Sequence, residues 1–312
     1  MIIGALVQDI AQRLRDHGVA DSAKEAELIV SSLLHLSRAQ LCTSPAEVSA
    51  KSIQTIQQYA ERRAAGEPIH YIIGQLEFMG LRIAVGPGVL IPRPETELLV
   101  EETIKQLRSQ KAEERQAQGR SVASSHVTHN SSPMTILDLC TGSGCIALSL
   151  AQAFPNAAVV GSDISPAALQ YAKKNAAGNA IDTVMFIEGD LFAPFAGQKF
   201  TCIIANPPYI KTSDIQGLQS EIKLHEPLSA LDGGQDGLDF HRRILSEAPA
   251  FLKPGGVLIM ELGHDQADDA IGMARTNAFV GIRCILDYAG VRRFFVGHLS
   301  AEQLETASVL KN

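Results

Sequence analysis

The sequence predicts an α/β fold in which a small N-terminal helical bundle precedes a seven-stranded, doubly wound parallel sheet. From Met134 onward, short apolar runs alternate with helical patterns, as they do where parallel strands are joined by helices. Residues 1–75 show helical spacing alone. Between these regions, residues 108–133 are polar and rich in Ser and Gln, which predicts a flexible insertion formed by a loop or a frayed helix end.

The composition is that of an ordinary globular protein. Of the 312 residues, 46% are hydrophobic and 20% are charged. The net charge of −7 disfavours a direct nucleic-acid partner, because such proteins usually carry a basic face. The five cysteines contain no C-x-x-C pair, and His126 and His129 have no neighbouring ligand, so we predict reduced thiols and no metal site. Without a cationic leader or an apolar membrane span, we expect a cytoplasmic monomer.

Residues 1–75 contain two patterns that are typical of helix starts. Ser22 and Glu25 match a capping box, and Ser44 precedes Pro45 in the arrangement that begins a second helix. No cluster of titratable residues occurs in this region. These helices predict a small bundle that binds a partner, as a substrate-binding domain would, with a purely structural role as the alternative.

Residues 76–107 predict a short hairpin and a linker helix. Alternating apolar residues punctuated by glycines indicate the two strands of the hairpin. Pro92 and Pro94 then form a rigid entry to a helix whose first turn is acidic, which complements the helix dipole. A well-capped linker helix does not by itself explain why Arg93 is held between two prolines.

The last region, residues 134–312, contains seven candidate strands. Each is a short apolar run bounded by turn residues, and the last two are close enough to form a hairpin at the sheet edge. The candidates are residues 135–139, 157–162, 184–188, 201–205, 257–261, 282–286 and 293–296.

The first of these strands leads into a glycine-rich turn that opens a helix. The turn reads Asp138-Leu-Cys-Thr-Gly-Ser-Gly144, and its two glycines let the backbone approach a ligand closely. It is not a G-x-G-x-x-G motif, and no lysine follows it as in a P-loop. The turn therefore predicts room for a compact polar group, with a plain tight turn as the alternative.

Acidic residues follow the next two strands. Asp163 stands where an acid accepts hydrogen bonds from ribose hydroxyls, although it could also cap the next helix. Asp190 precedes Leu191 and Phe192, an arrangement suited to an adenine amino group and its ring. Ligands of open α/β sheets bind at the carboxyl ends of the strands, so these successive strand ends predict one shared site.

The fourth strand ends in Asn206-Pro207-Pro208-Tyr209. The prolines end the strand ladder and hold the following residues extended. An amide, fixed backbone carbonyls and an aromatic ring are thereby presented together at a strand end. This combination suits a flat, amide-bearing group held between hydrogen-bond partners and a stacking face.

The order of these motifs resembles a class I S-adenosylmethionine-dependent methyltransferase, a family with a Rossmann-like sheet. The N-P-P-Y motif is similar to that of the branch that methylates planar nitrogens, either in nucleic-acid bases or in glutamine amides. Further segments resemble the release-factor glutamine methyltransferase family (HemK/PrmC type), and the resemblance covers nearly the full chain outside residues 108–133. These segments are residues 66–74, 92–97, 225–234 and 287–295.

The resemblance implies transfer of a methyl group from S-adenosyl-L-methionine to the glutamine amide in the Gly-Gly-Gln loop of peptide chain release factors, with S-adenosyl-L-homocysteine as the product. Asn206 Oδ1 and the Pro207 carbonyl would hold the two amide N–H bonds, and Tyr209 would stack on the amide plane. The implied cofactor-binding residues are Asp138, Cys140, Thr141, Gly142, Ser143, Gly144, Asp163, Asp190, Leu191 and Asn206. The residues implied near the substrate channel are Arg93, Thr96, His225 and Glu226.

Cys140 departs from the family pattern, in which glycine is commoner at this position. The same glycine-rich turn with Cys at this position occurs in the sister family that methylates a ribosomal-protein glutamine. Methylation of a ribosomal-protein glutamine is therefore one alternative function. An adenine-specific nucleic-acid methyltransferase is a second, disfavoured by the acidic net charge. A non-catalytic cofactor-binding module is a third, disfavoured by the intact Asn206 motif.

Overall fold

The computed structural model describes residues 1–43, 46–121 and 133–300 and divides the chain into two compact units. The first unit comprises Met1–Leu76, Val85–Pro87 and Leu218–Glu226. The second comprises Glu77–Ala84, Gly88–Gly217 and the chain from Pro227 onward. The predicted helical domain, residues 1–75, thus lacks the two later segments of the first unit. His126 and His129 lie outside the described residues.

The elements of both units follow the predicted change from helices to alternating strands and helices. The helices are α1 (Ile3–Asp16), α2 (Ser22–Leu34), α3 (Arg38–Thr43), α4 (Ala50–Ala64), α5 (Ile69–Ile73), α6 (Pro94–Ser121), α7 (Cys145–Ala153), α8 (Pro166–Gly178), α9 (Ser220–His225), α10 (Asp239–Glu247) and α11 (Ala267–Arg275). The strands are β1 (Gln75–Phe78), β2 (Leu81–Ala84), β3 (Thr135–Leu139), β4 (Ala158–Asp163), β5 (Val184–Glu188), β6 (Phe200–Ala205), β7 (Leu252–Glu261), β8 (Phe279–Leu286) and β9 (Arg292–Leu299).

The first unit is held by an apolar core and a partly buried ion cluster. The apolar faces of α1, α2 and α4 supply fully buried side chains, among them Leu6, Ile10, Ile29 and Ile56. Arg63 of α4 lies 2.5 Å from the Glu25 carboxylate of α2 and 2.6 Å from the Glu221 carboxylate of α9. This cluster joins the segment Leu218–Glu226 to the N-terminal helices within one unit.

The capping box predicted at Ser22 and Glu25 is wrong. Asp21 occupies the N-cap position of α2, and Ser22 is already buried in the first turn. Glu25 cannot reach back to close the box because its carboxylate accepts from the Arg63 guanidinium. A long-range ion pair therefore takes the place of the local contact that the sequence pattern indicated.

Two other helices differ from their predicted extents. α4 begins at Ala50, where the Ser49 hydroxyl accepts a hydrogen bond from the Ser52 N–H at 3.1 Å; the predicted start at residues 44–45 lies outside the described residues. α6 continues to Ser121, well into the predicted insertion, whose residues 122–132 are not described. None of the described helices combines the length and the apolar run that a membrane span requires.

The second unit is built on the predicted seven-stranded sheet, which is confirmed. Its strand order is β5-β4-β3-β6-β7-β9-β8, with β9 antiparallel to both of its neighbours and the other pairs parallel. The central strands read as continuous apolar runs because helices cover both faces, and Leu137, Ile203 and Leu258 are fully buried. The strand order reverses between β3 and β6, and such a reversal opens a crevice at the carboxyl ends of the strands.

Candidate active site

A cavity of about 510 Å³ lies at the carboxyl ends of β3, β4, β5 and β6, and all of its lining residues belong to the second unit. This volume is typical of a small-molecule or cofactor site. The walls include many of the residues selected from the sequence: Thr96, Cys140, Thr141, Gly142, Ser143, Asp163, Asp190, Leu191, Asn206 and Pro208. Further wall residues come from the segments around Val89 and Leu228 and from Phe240.

The other selected residues are not part of these walls. Asp138, Gly144, Arg93, Pro207 and Tyr209 belong to the second unit without lining the cavity. His225 and Glu226, the remaining two, belong to the first unit. Among the described residues, no group of three or more His, Cys, Asp or Glu side chains is arranged to hold a metal ion.

Asp163 ties the glycine-rich turn to the end of β4. Its Oδ2 accepts from the Gly142 N–H at 2.8 Å, and its Oδ1 accepts from the Ser165 N–H at 2.9 Å. Burial raises the pKa of this carboxyl above its ordinary value. Each carboxylate oxygen keeps a second lone pair, so Asp163 can still accept from a ligand in the cavity.

Asp138 lies behind the turn and is not part of the cavity wall. Its Oδ2 accepts from the Thr141 hydroxyl at 2.5 Å and from the Ala147 N–H at 3.1 Å. The side chain is fully buried, and burial raises its pKa to about 7. Asp138 therefore holds both the turn and the first turn of α7 in place.

The two glycines of the turn have different reasons to be glycine. Gly142 lines the cavity with φ of +55°, and a Cβ there would meet nothing closer than 4.0 Å. A Cβ on Gly144 would lie 3.0 Å from the Ala172 Cβ and 3.1 Å from the Phe186 ring. Gly144 thus serves the packing of helix α8 and strand β5 behind the turn.

Cys140 adopts a left-handed backbone conformation with φ of +57°. Residues with a Cβ are strained there by roughly 1 kcal/mol, which is why glycine suits this position. Burial, followed by the nearby Asp163 carboxylate, raises the pKa of the Cys140 thiol well above its ordinary value. The side chain on the cavity wall is therefore a neutral thiol.

Asp190 is paired with a residue to which the sequence assigned no site role. Arg243 of α10 donates to both of its carboxylate oxygens, at 3.0 and 2.9 Å. The pair is half-exposed, so its contribution to stability is small, but its two-point geometry fixes the carboxylate at the cavity wall.

Asn206 ends β6 and belongs to a chain of hydrogen bonds. Its Nδ2 donates to Thr96 Oγ1 at 3.2 Å, and the Thr96 hydroxyl donates to Glu261 Oε2 at 3.0 Å. The Tyr209 hydroxyl donates to the other oxygen, Glu261 Oε1, at 3.1 Å. Burial raises the pKa of Glu261 to about 7 and also raises the pKa of Tyr209.

Glu261 was not selected from the sequence, although a signal was present. It is the last residue of β7, which pairs in parallel with β6. The strand-end rule that selected Asp163, Asp190 and Asn206 applies equally to this fifth strand. Extending that rule along the sheet would have found it.

Comparison with known proteins provides independent evidence on the family of this protein. Residues 5–74 match a family described as the PrmC N-terminal domain, and residues 130–281 match a methyltransferase domain. The chain is 41% identical to the release factor glutamine methyltransferase of Thermodesulfovibrio yellowstonii, over 88% of this chain and 91% of that protein. It is 37% identical to the release factor glutamine methyltransferase of Moorella thermoacetica, over 97% of this chain and 100% of that protein. A solved structure, the release factor-specific protein-(glutamine-N5) methyltransferase of Alicyclobacillus acidocaldarius, aligns with 70% of this chain and 99% of its own at 25% identity and a TM-score of 0.38.

The matched domain and the strand-end cavity define this protein as a methyltransferase. Identity over most of the chain is more specific, because it includes the N-terminal domain as well as the sheet. The chain belongs to the release factor glutamine methyltransferase family. The resemblance inferred from the motifs is thereby confirmed.

Proposed function

We propose that the protein transfers a methyl group from S-adenosyl-L-methionine to the side-chain amide nitrogen of the glutamine in the Gly-Gly-Gln loop of peptide chain release factors. The observation that carries the proposal is the Asn206 amide on the cavity wall, with its Nδ2 already bound to Thr96. Family membership supports the same reaction. The proposal includes a cytoplasmic monomer that acts on protein, and the net charge of −7 supports protein over nucleic acid as the partner.

The cavity fits a cofactor of this class. S-adenosylmethionine, when bound, supplies a methyl group on a positively charged sulfonium. Asp163 and Asp190 place carboxylates on the wall, where they suit ribose hydroxyls, an adenine amino group and a positive charge. Gly142 leaves the turn free of side-chain bulk at the wall, and Leu191 supplies an apolar surface for a flat ring. Asp138 holds the turn in place from behind and, with Gly144, stays a predicted cofactor-binding residue.

Asn206 and Pro207 would orient the reacting amide. An amide nitrogen is a poor nucleophile because its lone pair is delocalised into the carbonyl. Acceptors at Asn206 Oδ1 and at the Pro207 carbonyl would fix both N–H bonds of the substrate amide, and fixing the orientation of the reacting groups lowers the barrier to reaction. The Tyr209 ring would stack on the amide plane, with its hydroxyl anchored on Glu261. Arg93, Thr96, His225 and Glu226 stay predicted contacts of the substrate channel.

The proposal is tested with labelled S-adenosylmethionine and purified release factor, the loop variant of the release factor with Gln replaced by Ala, and DNA. Label should enter the release factor and neither of the other two. Labelling of DNA, or equal labelling of the loop variant, would overturn the proposed substrate.

A substitution in the protein tests the role of Asn206. We expect Asn206→Ala to reduce transfer by about 100-fold or more, because one orienting acceptor is lost. Cofactor affinity, measured by calorimetry, should largely persist. Asn277→Ala is the matched control, since Asn277 caps a helix end away from the cavity walls and should leave transfer unchanged. A fully active Asn206→Ala variant would contradict the assigned role.

A further inference from the structure

A buried carboxylate lies two hydrogen bonds behind the Asn206 amide. Glu261 is 1% exposed and Thr96 is 2% exposed, so both are shielded from water. The Thr96 hydroxyl stands between them, 3.0 Å from Glu261 Oε2 and 3.2 Å from Asn206 Nδ2. These residues come from three elements, α6, β7 and the end of β6, which the sheet brings together.

The chemistry of the Thr96 hydroxyl sets the direction of this chain. An ionised carboxylate only accepts, so the single Thr96 proton is donated to Glu261. Thr96 Oγ1 then has only an accepting role left, and Asn206 must offer it the Nδ2 end of its amide. Asn206 Oδ1 consequently takes no hydrogen bond within the described part of the second unit and is available to a ligand in the cavity.

We propose that Glu261 is a positioning residue, which acts through the Thr96 hydroxyl to fix the end of the Asn206 amide that faces the substrate. The inference rests on the proposed function, because it matters only if the substrate presents N–H groups to Asn206. An amide turned by 180° would have the same shape and would present donors to those N–H groups instead of an acceptor. Glu261 removes this ambiguity.

The surroundings of Glu261 leave few places for a proton. Tyr209 donates to Oε1 and Thr96 donates to Oε2, so each carboxylate oxygen already has a donor. The charged groups that face it are Arg293 on β9, which favours the ionised form, and Glu95 on α6, which opposes it. His241 binds only the backbone carbonyl of Glu261 and is held neutral by burial, which lowers its pKa.

Protonation of Glu261 adds a donor to this network, so one of the two hydroxyls can reverse and accept instead. If the new O–H donates to Thr96, the Thr96 proton turns toward Asn206 and can be accepted only by Asn206 Oδ1. The amide then presents its Nδ2 end to the cavity. This hydrogen-bond relay from Glu261 through Thr96 to Asn206 runs in one direction when Glu261 is ionised and in the other when the neutral carboxyl donates to Thr96.

The test is a pair of substitutions at Thr96. Thr96→Val keeps the shape and removes the hydroxyl, so we expect kcat for release-factor methylation to fall about 10- to 100-fold. KM for S-adenosylmethionine should stay within about threefold. Thr96→Ser restores the hydroxyl and should recover most of kcat. Thr103→Val is the matched control, since Thr103 is a buried threonine of the same helix whose hydroxyl binds only the Leu99 carbonyl at 2.7 Å.

The same Thr96 substitution in an Asn206→Asp protein separates a loss of amide orientation from a general loss of structure. Asp at position 206 presents an acceptor whichever way it turns, so in an Asn206→Asp protein Thr96→Val should change kcat by less than about threefold. An equal loss in both backgrounds, or full activity of Thr96→Val alone, would overturn the relay while leaving methylation intact. Absence of methylation by the unsubstituted protein would overturn the proposed function and the relay together.

Discussion

Two buried carboxylates support the two halves of the cavity, and they are bonded in different ways. Asp138 lies behind the glycine-rich turn, and Glu261 lies behind Asn206. Burial raises the pKa of each to about 7. Asp138 takes a backbone N–H and a hydroxyl on the same oxygen, whereas Glu261 takes one hydroxyl on each oxygen.

This difference in bonding determines how the glycine-rich turn and the Asn206 amide respond when the carboxylate behind each of them is protonated. A proton on Asp138 can sit on Oδ1, which has no partner, without disturbing either bond to Oδ2. A proton on Glu261 adds a donor beside two hydroxyls that already donate to the carboxylate, so one of them can reverse and accept instead. The glycine-rich turn is therefore held in the same way across neutral pH, while the orientation of the Asn206 amide changes with the protonation state of Glu261.

The largest expected effect comes from removing the Asp138 carboxylate. In Asp138→Ala, the Thr141 hydroxyl and the Ala147 N–H lose their acceptor in a buried place, so we expect a loss of about 2–4 kcal/mol in the free energy of unfolding. Asp138→Asn keeps an acceptor of the same shape and should stay within about 1 kcal/mol at pH about 5, where Asp138 is neutral. Urea unfolding measures both. An Asp138→Ala protein as stable as the unsubstituted one would contradict the supporting role of this carboxylate.

The pH dependence of stability should reveal the cost of ionising Glu261. The folded chain holds this proton up to about pH 7, against an ordinary value of 4.5, so the stability it contributes is present below 4.5 and is lost as the pH rises through 7. Glu261→Gln cannot ionise. Its stability relative to the unsubstituted protein should therefore rise by up to ~3 kcal/mol between about pH 5 and pH 8, measured by urea unfolding. A constant difference across that range would show that Glu261 does not titrate as described.

Substitutions of the two glycines test how the glycine-rich turn is packed. Gly144→Ala forces a Cβ to 3.0 Å from Ala172, in addition to the strain of φ at +79°, so we expect a loss of about 2–3 kcal/mol in the free energy of unfolding. Gly142→Ala meets no close atom and should cost about 1 kcal/mol, with weaker cofactor affinity because the residue lines the cavity. The reverse ranking of the two stabilities would refute the packing role of Gly144.

Local patterns in the sequence predicted much of this molecule. Apolar runs located all seven strands of the main sheet, and most clearly the central ones, because strands covered on both faces must be apolar. The strand-end rule selected the acids and the Asn206 motif, since it depends only on the order of elements along the chain.

The contacts that the sequence did not predict join residues far apart in the chain. Thr96 and Glu261 are 165 residues apart, and Thr96 and Asn206 are 110 residues apart, so no local pattern links them. The role of Gly144 depends on Ala172 and Phe186, which only the packed sheet brings near. Glu25 likewise pairs with the distant Arg63 and does not form the capping box that the local sequence predicted.

Whether Glu261 sets the orientation of Asn206 is tested by the pH dependence of kcat for release-factor methylation, compared among the unsubstituted protein, Glu261→Gln and Asp138→Asn. The unsubstituted protein should lose activity as the pH falls through about 7, because neutral Glu261 reverses the relay to Asn206. Asp138→Asn should keep that dependence. Glu261→Gln should show none, since its amide does not titrate whichever way it turns. If kcat of the Glu261→Gln protein still falls with pH as that of the unsubstituted protein does, Glu261 does not set the orientation of Asn206.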